Sequence, residues 1–478
     1  MSRAATITHA FLLTALAPST WSQTTYQYTD LGTLGGIDSA ALGLNDQGQV
    51  VGWSAIAGCM TSQGLPCRHA FLFENGTMTD IGVLPGDEDS VARTINNAGT
   101  IVGTSEANII FGSGTFHAAI WNAGVISPLP DLGSGMSWAN DINEAGVISG
   151  WAPDPSVSRD RAVTWTGGAI SNVGESDAHT YNRGYGINAL GSLVGFAWDL
   201  FSPNDSILFE GGSWLTIGGA GQFQNSEAFD INDNNVVVGK QAFPSGSWHP
   251  AIWLTPGGQA TDLGLLPGFD LGQLSGINES GHAVGRVYTD SNPEISHAVY
   301  YDGVQLIDLN TLLPAGVNAL LADATEINED GDIVGRAVVG GAWHAFLLEV
   351  DSAGGNYCTP TVNSTGSAAG MSSTGSTSIA SNSFGLRAEP TPNDAFLFFY
   401  GQTQVQVPFG NGARCVGGNP TRLGAPQFST GNVAERTVDL VAEGFAPGSM
   451  NFQCWFRDPT GGGSGFNLSD GFEVVFLP

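Results

Sequence analysis

One string recurs seven times along the chain. It reads I-N-x-x-G-x-x-V-G with small variations, its asparagines are Asn45, Asn96, Asn143, Asn188, Asn232, Asn278 and Asn328, and successive copies stand 44 to 51 residues apart. A unit this short cannot enclose a core alone, so it must stack on its neighbours, and the repeat constrains the fold before any other feature. Two further strings share the period. H-A-F-L-F/W begins at His69, His117, Arg161, Asp205, His249, His297 and His344, and T-D-L-G places Asp30, Asp80, Asp131, Asn172, Thr216, Asp262 and Asp308 at equivalent points.

Within a unit, apolar and small residues alternate around tight turn signals. Asn-x-x-Gly separates the first two runs, and Asn75-Gly76 or Gly211-Gly212 separates the next two, which predicts four short strands per unit. The asparagine can bond its own backbone two residues on, and the glycine, as at Gly99 and Gly331, supplies a positive φ. Four strands in about 45 residues is the pattern of a propeller blade. A T-D-L-G copy precedes the first I-N unit, and none follows the last H-A-F strand. The N-terminal run is therefore expected to pair with the strand at His344 and close the ring. The expectation is an all-β chain with a seven-bladed β-propeller over residues 23–350. Beyond it, residues 351–383 are Ser/Thr/Gly-rich, forming a linker and the first strands of a tail, and 384–478 are expected to form a β-sandwich.

At these strings the chain, over residues 30–349, resembles the extracellular repeat proteins of the HAF family, named for His-Ala-Phe. That resemblance implies secretion and a repeat architecture, and neither an activity nor a ligand. Three copies depart from the string: Arg161, Asp205 and His249-Pro250. In the tail, Leu397-Phe398-Phe399-Tyr400-Gly401, Arg414-Cys415-Val416-Gly417-Gly418 and Trp455-Phe456-Arg457-Asp458-Pro459 resemble a C-terminal module carried by many otherwise unrelated bacterial secreted proteins. The resemblance implies that Cys358 pairs with Cys415, leaving Cys454 over, and by analogy a role in retention, sorting or adhesion.

Composition narrows the partners. Fourteen basic against 44 acidic residues give a formal charge of −30, which repels a phosphate backbone and argues against nucleic acid. Arg3, the apolar stretch at 10–17 and the small residues ending at Ser22 read as a signal peptide over 1–22. No stretch approaches the length of a transmembrane span. The five cysteines show no metal-binding spacing and fit disulfides formed after export, with Cys59 and Cys67 as a local pair. A secreted or cell-surface location follows from both lines.

Candidate chemistry is sparse. There is no G-x-S-x-G, H-E-x-x-H, Walker lysine or S-x-x-K, although a glycosidase or lyase needs no linear motif. Residues required once per repeat are assigned to the repeat itself. The seven asparagines and the histidines His69, His117, His249, His297 and His344 are accordingly read as structural. No cofactor is called for; 328–332 and 87–89 are oxygen-rich enough for calcium but complete no EF-hand. Trp121, Trp165, Trp253 and Tyr301 share the position of Phe73 and belong to packing. Trp138, Trp198, Trp248 and Trp343 lie outside those positions, where an indole could stack on a sugar. The function expected is non-catalytic binding of an extracellular polysaccharide or protein through variable segments such as 56–68, 106–116, 154–159 and 198–205. The alternatives are a polysaccharide-active enzyme and a self-assembling envelope component.

Overall fold

The computed structural model describes residues 26–107, 114–174, 180–199, 204–218, 225–243, 246–254, 257–293, 295–314, 316–350, 356–379 and 382–476; the expected signal peptide lies outside them. Each of the first six repeats folds into a four-stranded antiparallel sheet with its strands in chain order. The first repeat, for example, runs Gly35–Leu44, Val50–Met60, Pro66–Glu74 and Thr77–Gly82. The seventh sheet is composite. Its strands Leu320–Ile327, Ile333–Val339 and Ala342–Val350 are completed at the outer edge by Tyr26–Gly32, with Tyr28 opposite Leu348 and Asp30 opposite Phe346. The offset between strings and sheets therefore closes the ring with antiparallel hydrogen bonds. The fold is a β-propeller.

The I-N asparagines explain how neighbouring sheets are held. Each Oδ1 serves its own turn: Asn96, for instance, accepts from Ala98 N at 3.1 Å and Thr100 N at 3.0 Å, around Gly99 at φ +76°. Each Nδ2 then donates to the main-chain carbonyl of the next asparagine. The bonds run Asn45 to Asn96, Asn96 to Asn143, Asn143 to Asn188, Asn188 to Asn232, Asn232 to Asn278, Asn278 to Asn328, and Asn328 back to Asn45. Seven links of 2.9 to 3.2 Å form an unbroken circle. All seven side chains are buried, so one amide satisfies a local turn and a neighbouring carbonyl that would otherwise be orphaned.

A second circle runs through the residue after each asparagine. Its backbone N–H donates to the equivalent side chain of the next sheet: Asp46 to Asn97, Asn97 to Glu144, Asp233 to Glu279, Glu279 to Glu329 and Glu329 to Asp46. Ala189 likewise donates to Asp233. The circle breaks only between Glu144 and Ala189, because alanine offers no acceptor.

The glycine of each V-G pair has a steric cause. A methyl group on Gly52, Gly103, Gly150, Gly195, Gly239, Gly285 or Gly335 would overlap a carbonyl oxygen of its own sheet's first strand, such as that of Ala40 or Trp138. The first strands bulge at this point in most sheets, and the close backbone approach leaves no room for a Cβ.

Apolar side chains between adjacent sheets make up the propeller core. Trp121, Trp165 and Trp253 are fully buried there, and the first two donate Nε1–H to Ile81 O and Pro130 O at 2.9 and 2.8 Å. Tyr301 stays partly exposed and donates to Gly303 O.

In the tail, one sheet orders Asn356–Tyr357, Phe466–Phe476, Gly448–Arg457, Ala395–Gly401 and Thr421–Arg422; another orders Gly370–Thr374, Gly385–Glu389 and Ala434–Thr437. Both contribute to one apolar cluster containing Met371, Leu386, Phe398, Phe452 and Phe476. Cys59 bonds Cys67, and Cys358 bonds Cys415. Cys454 is a buried free thiol in that cluster, opposite Phe398.

Candidate functional site

In every sheet the first strand begins, the second ends and the third begins on the same face of the ring. Trp138 opens a first strand, Trp198 closes a second, and Trp248 and Trp343 stand at the start of third strands. The topology thus brings all four tryptophans to one face, each only half-buried.

They do not stand alone. The Trp138 ring stacks on Trp151 with centroids 3.8 Å apart and planes within 5°, and Phe116 lies 5.0 Å from Trp138. The Arg183 guanidinium lies 3.7 Å from the Trp151 centroid and 5.2 Å from that of Trp198. Asp160 holds it there at 2.6 Å. Trp198 stacks on Tyr181 at 5.3 Å and touches Phe196, which leads through Tyr185 to Phe229. Lys240 continues the run, 5.5 Å from Phe229 and 4.6 Å from Trp248, with Glu227 at 3.0 Å. Further round, Arg336 lies 4.4 Å over Trp343 and Arg68 lies 4.7 Å over Trp53. The result is a band of rings and cations crossing four consecutive sheets, with three more such pairs beyond it, the third being Arg286 at 4.9 Å from Tyr288. Two shallow depressions open on this face, one beside Asp160 and Tyr181, the other beside Trp248 and Tyr288.

Trp53 and Trp151 were not singled out in the sequence, although a signal was present. The residue following each V-G glycine is Trp53, Thr104, Trp151, Phe196, Lys240, Arg286 or Arg336. Six of these seven are aromatic or cationic.

The histidines occupy the rim of the same face. Nδ1 of His69, His249, His297 and His344 pairs with Asp80, Asp262, Asp308 and Asp30 at 2.7 to 2.9 Å. Asp80 and Asp262 also accept from the N–H groups of Gly82 and Gly264, and each pair ties a third strand to the end of the outer, fourth strand. His117 instead meets Asp87 at 3.0 Å. Where H-A-F carries Arg161 or Asp205, the matching T-D-L-G copy carries Asn172 or Thr216, so those two sheets have no histidine–aspartate pair at this place.

Three carboxylates line the middle of the ring, each one residue before the Ile of an I-N pair. Asp141 accepts from Ile142 N at 2.7 Å and, in the next sheet, Ile187 N at 2.9 Å. Asp230 does the same with Ile231 and Ile277, and Glu326 accepts from Ile327. Their neighbours are glycines for want of space: a Cβ on Gly186 would lie 2.9 Å from Asp230 Oδ1, and one on Gly276 2.7 Å from Glu326 Oε1. Burial, then the charge of Asp141, pushes Asp230 up to about 8, and burial with Asp230 raises Glu326. Among the described residues, no group of three or more His, Cys, Asp or Glu side chains is arranged to share a metal ion. In the oxygen-rich segments, Asp332 accepts from Val350 N, Asp89 from Arg68 N and Glu88 from Ser62. Among the described residues, no helix is long and apolar enough to cross a membrane.

No protein-family description matches the chain, and no curated protein does. Solved structures are similar at the level of fold. A puromycin-hydrolyzing peptidase of Mycobacterium tuberculosis aligns at 11% identity and a TM-score of 0.42, over 77% of this chain and 62% of its own. The β-propeller domain of the Pyrococcus furiosus Trilobed protease aligns at 10% and 0.38, over 57% and 83%. A Trypanosoma rangeli sialidase aligns at 9% and 0.34, over 85% and 90%. The chain thus spans 62% of the length of the first of these. At such distances the likeness concerns fold alone, and the propeller assignment rests on this chain's own ring of sheets.

Proposed function

We propose that the chain is an exported, non-catalytic binding protein. Its seven sheets are the blades of one seven-bladed propeller, its tail is a β-sandwich, and its tryptophan face holds an extracellular polysaccharide. The observation that carries this reading is the continuous band from Trp138 to Trp248, in which half-buried rings alternate with cations fixed by carboxylates. Flat ring faces suit the C–H faces of sugars, and the flanking charged groups are ready hydrogen-bond partners for hydroxyls. The charge of −30 disfavours nucleic acid, and two disulfides fit an oxidising compartment. The tail serves retention or adhesion at the cell surface.

The test incubates the mature protein with a panel of extracellular polysaccharides, with calcium and with chelator, and measures retention together with soluble products by mass spectrometry. Retention without products, lost in Trp198→Ala while the melting temperature holds, is the expected result. Released oligosaccharides would replace binding by catalysis, and absence of retention would leave a protein partner or self-assembly.

A further inference from the structure

The eight lysine and arginine residues of the propeller all lie on strands: Arg68, Arg159, Arg161 and Arg183 near the strand ends at the tryptophan face, and Arg93, Lys240, Arg286 and Arg336 nearer mid-strand. The opposite Asn-x-x-Gly turns, and the turns joining third to fourth strands, contain acidic residues and no lysine or arginine. Seven of the eight cations are engaged: by rings or carboxylates at Arg68, Arg183, Lys240, Arg286 and Arg336, by a carbonyl at Arg161, and by a further contact at Arg159. Arg93 is different. It is exposed and, among the described residues, makes no hydrogen bond, ion pair or ring contact.

Its place in the fold is defined by the bulge in the strand Asp89–Ile95. Equivalent residues line the ring's inner wall: Asn140 and Thr325 bond the carbonyls of Gly184 and Ala41 in the next sheet, and Tyr185 packs edge-on against Phe229. From that wall Arg93 is near enough to Tyr185, two sheets away, for its charge to act on the phenol. A tyrosine phenol carries its proton at neutral pH, and burial raises this one further, so it can donate a hydrogen bond. Tyr185 meets Phe196 of the aromatic band at 5.6 Å, and Arg93 holds the equivalent bulge position on the same inner wall.

Resting on the polysaccharide reading above, we propose that this position is a carboxylate subsite and that the polymer bound is uronic-acid-bearing. The guanidinium fork matches a carboxylate in two parallel hydrogen bonds, while the band from Trp138 to Trp198 carries the adjoining sugar rings. The protein's overall negative charge opposes a uronate polymer as it opposes nucleic acid, and added salt screens that long-range repulsion more than it weakens the short Arg93 contact. The Arg93 charge acts on Glu106, whose carboxyl burial raises above its ordinary value.

The experiment measures affinity for polygalacturonate, alginate and hyaluronate, each beside its carboxyl-reduced counterpart, using the mature full chain and the variants Arg93→Gln, Arg93→Lys and Trp198→Ala. At least one uronate polymer should bind about tenfold more tightly than its reduced form, as expected for one charge-assisted carboxylate contact. Arg93→Gln should erase that preference without shifting the melting temperature, Arg93→Lys should keep part of it, and Trp198→Ala should weaken both forms. Equal binding of acid and reduced forms, a preference unchanged in Arg93→Gln, or retention of neutral polymers alone would overturn the carboxylate subsite and leave polysaccharide binding standing. Retention of no polymer at all would overturn both.

Discussion

The side-chain amide of Asn328 donates to the main-chain carbonyl of Asn45 at 3.2 Å, across a separation of 283 residues. It joins the last repeat to the first and makes the asparagine circle continuous. Removing the amide leaves a buried carbonyl unpaired and a turn without its acceptor, a loss of about 2 kcal/mol. Asn328→Ala and Asn278→Ala should therefore both lower the melting temperature, and by similar amounts. Thermal unfolding of the two variants checks this; an unchanged midpoint in either would mean the circle is incidental to stability.

The gap in the second circle offers a gain. Glu144 has no side chain to receive its N–H in the next sheet because position 189 is alanine, and Asn97 fills that role for Asp46 at 2.9 Å. Ala189→Asn should add one partly exposed hydrogen bond and raise stability by about 0.5 kcal/mol. Asparagine is preferred to aspartate because this face is already acidic. Chemical denaturation would register the increase, and Glu144→Gln should not reproduce it.

Acidification should stabilise the propeller over a defined window. Asp230 lies at about 8, Glu329 and Asp330 at about 7, and Asp332 at about 6, each raised first by burial and then by neighbouring carboxylates. A carboxyl whose folded value exceeds its unfolded value binds its proton more tightly when native, so stability falls as pH rises between the two values, from about 4 to about 8. Asp80, held low by His69 and the Gly82 N–H against the opposing effect of burial, acts in the other direction and only in more acidic solution. The melting temperature should be higher near pH 5.5 than near pH 8, and Asp230→Asn should flatten that slope. A midpoint that rises with pH over this range would contradict the buried carboxylate cluster.

The pairing of His297 with Asp308 at 2.7 Å predicts energetic coupling between H-A-F and T-D-L-G. A double-mutant cycle on His297→Ala and Asp308→Ala should give a coupling of about 0.5 to 1 kcal/mol, as for partly exposed pairs. The same cycle on Arg161→Ala and Asn172→Ala should give none, because Arg161 donates to Thr180 O instead.

The number of repeats, four strands in each, the offset that completes the last sheet with Tyr26–Gly32, and the burial of Trp121, Trp165 and Trp253 were all legible in the amino-acid order. Each is written in local alternation, turn chemistry and period, which act over a few residues. The sequence also contained, unread, the joint departure of Arg161 with Asn172 and the run of rings and cations after the V-G glycines. Tertiary structure alone decided the rest. Asn328 reaches Asn45, Asp141 and Asp230 share one interior, and Arg183 lies between Trp151 and Trp198, because ring closure brings together residues tens to hundreds of positions apart. Spacing along the chain gives the period of such residues but not the face on which they meet, since that depends on how seven sheets pack around an axis.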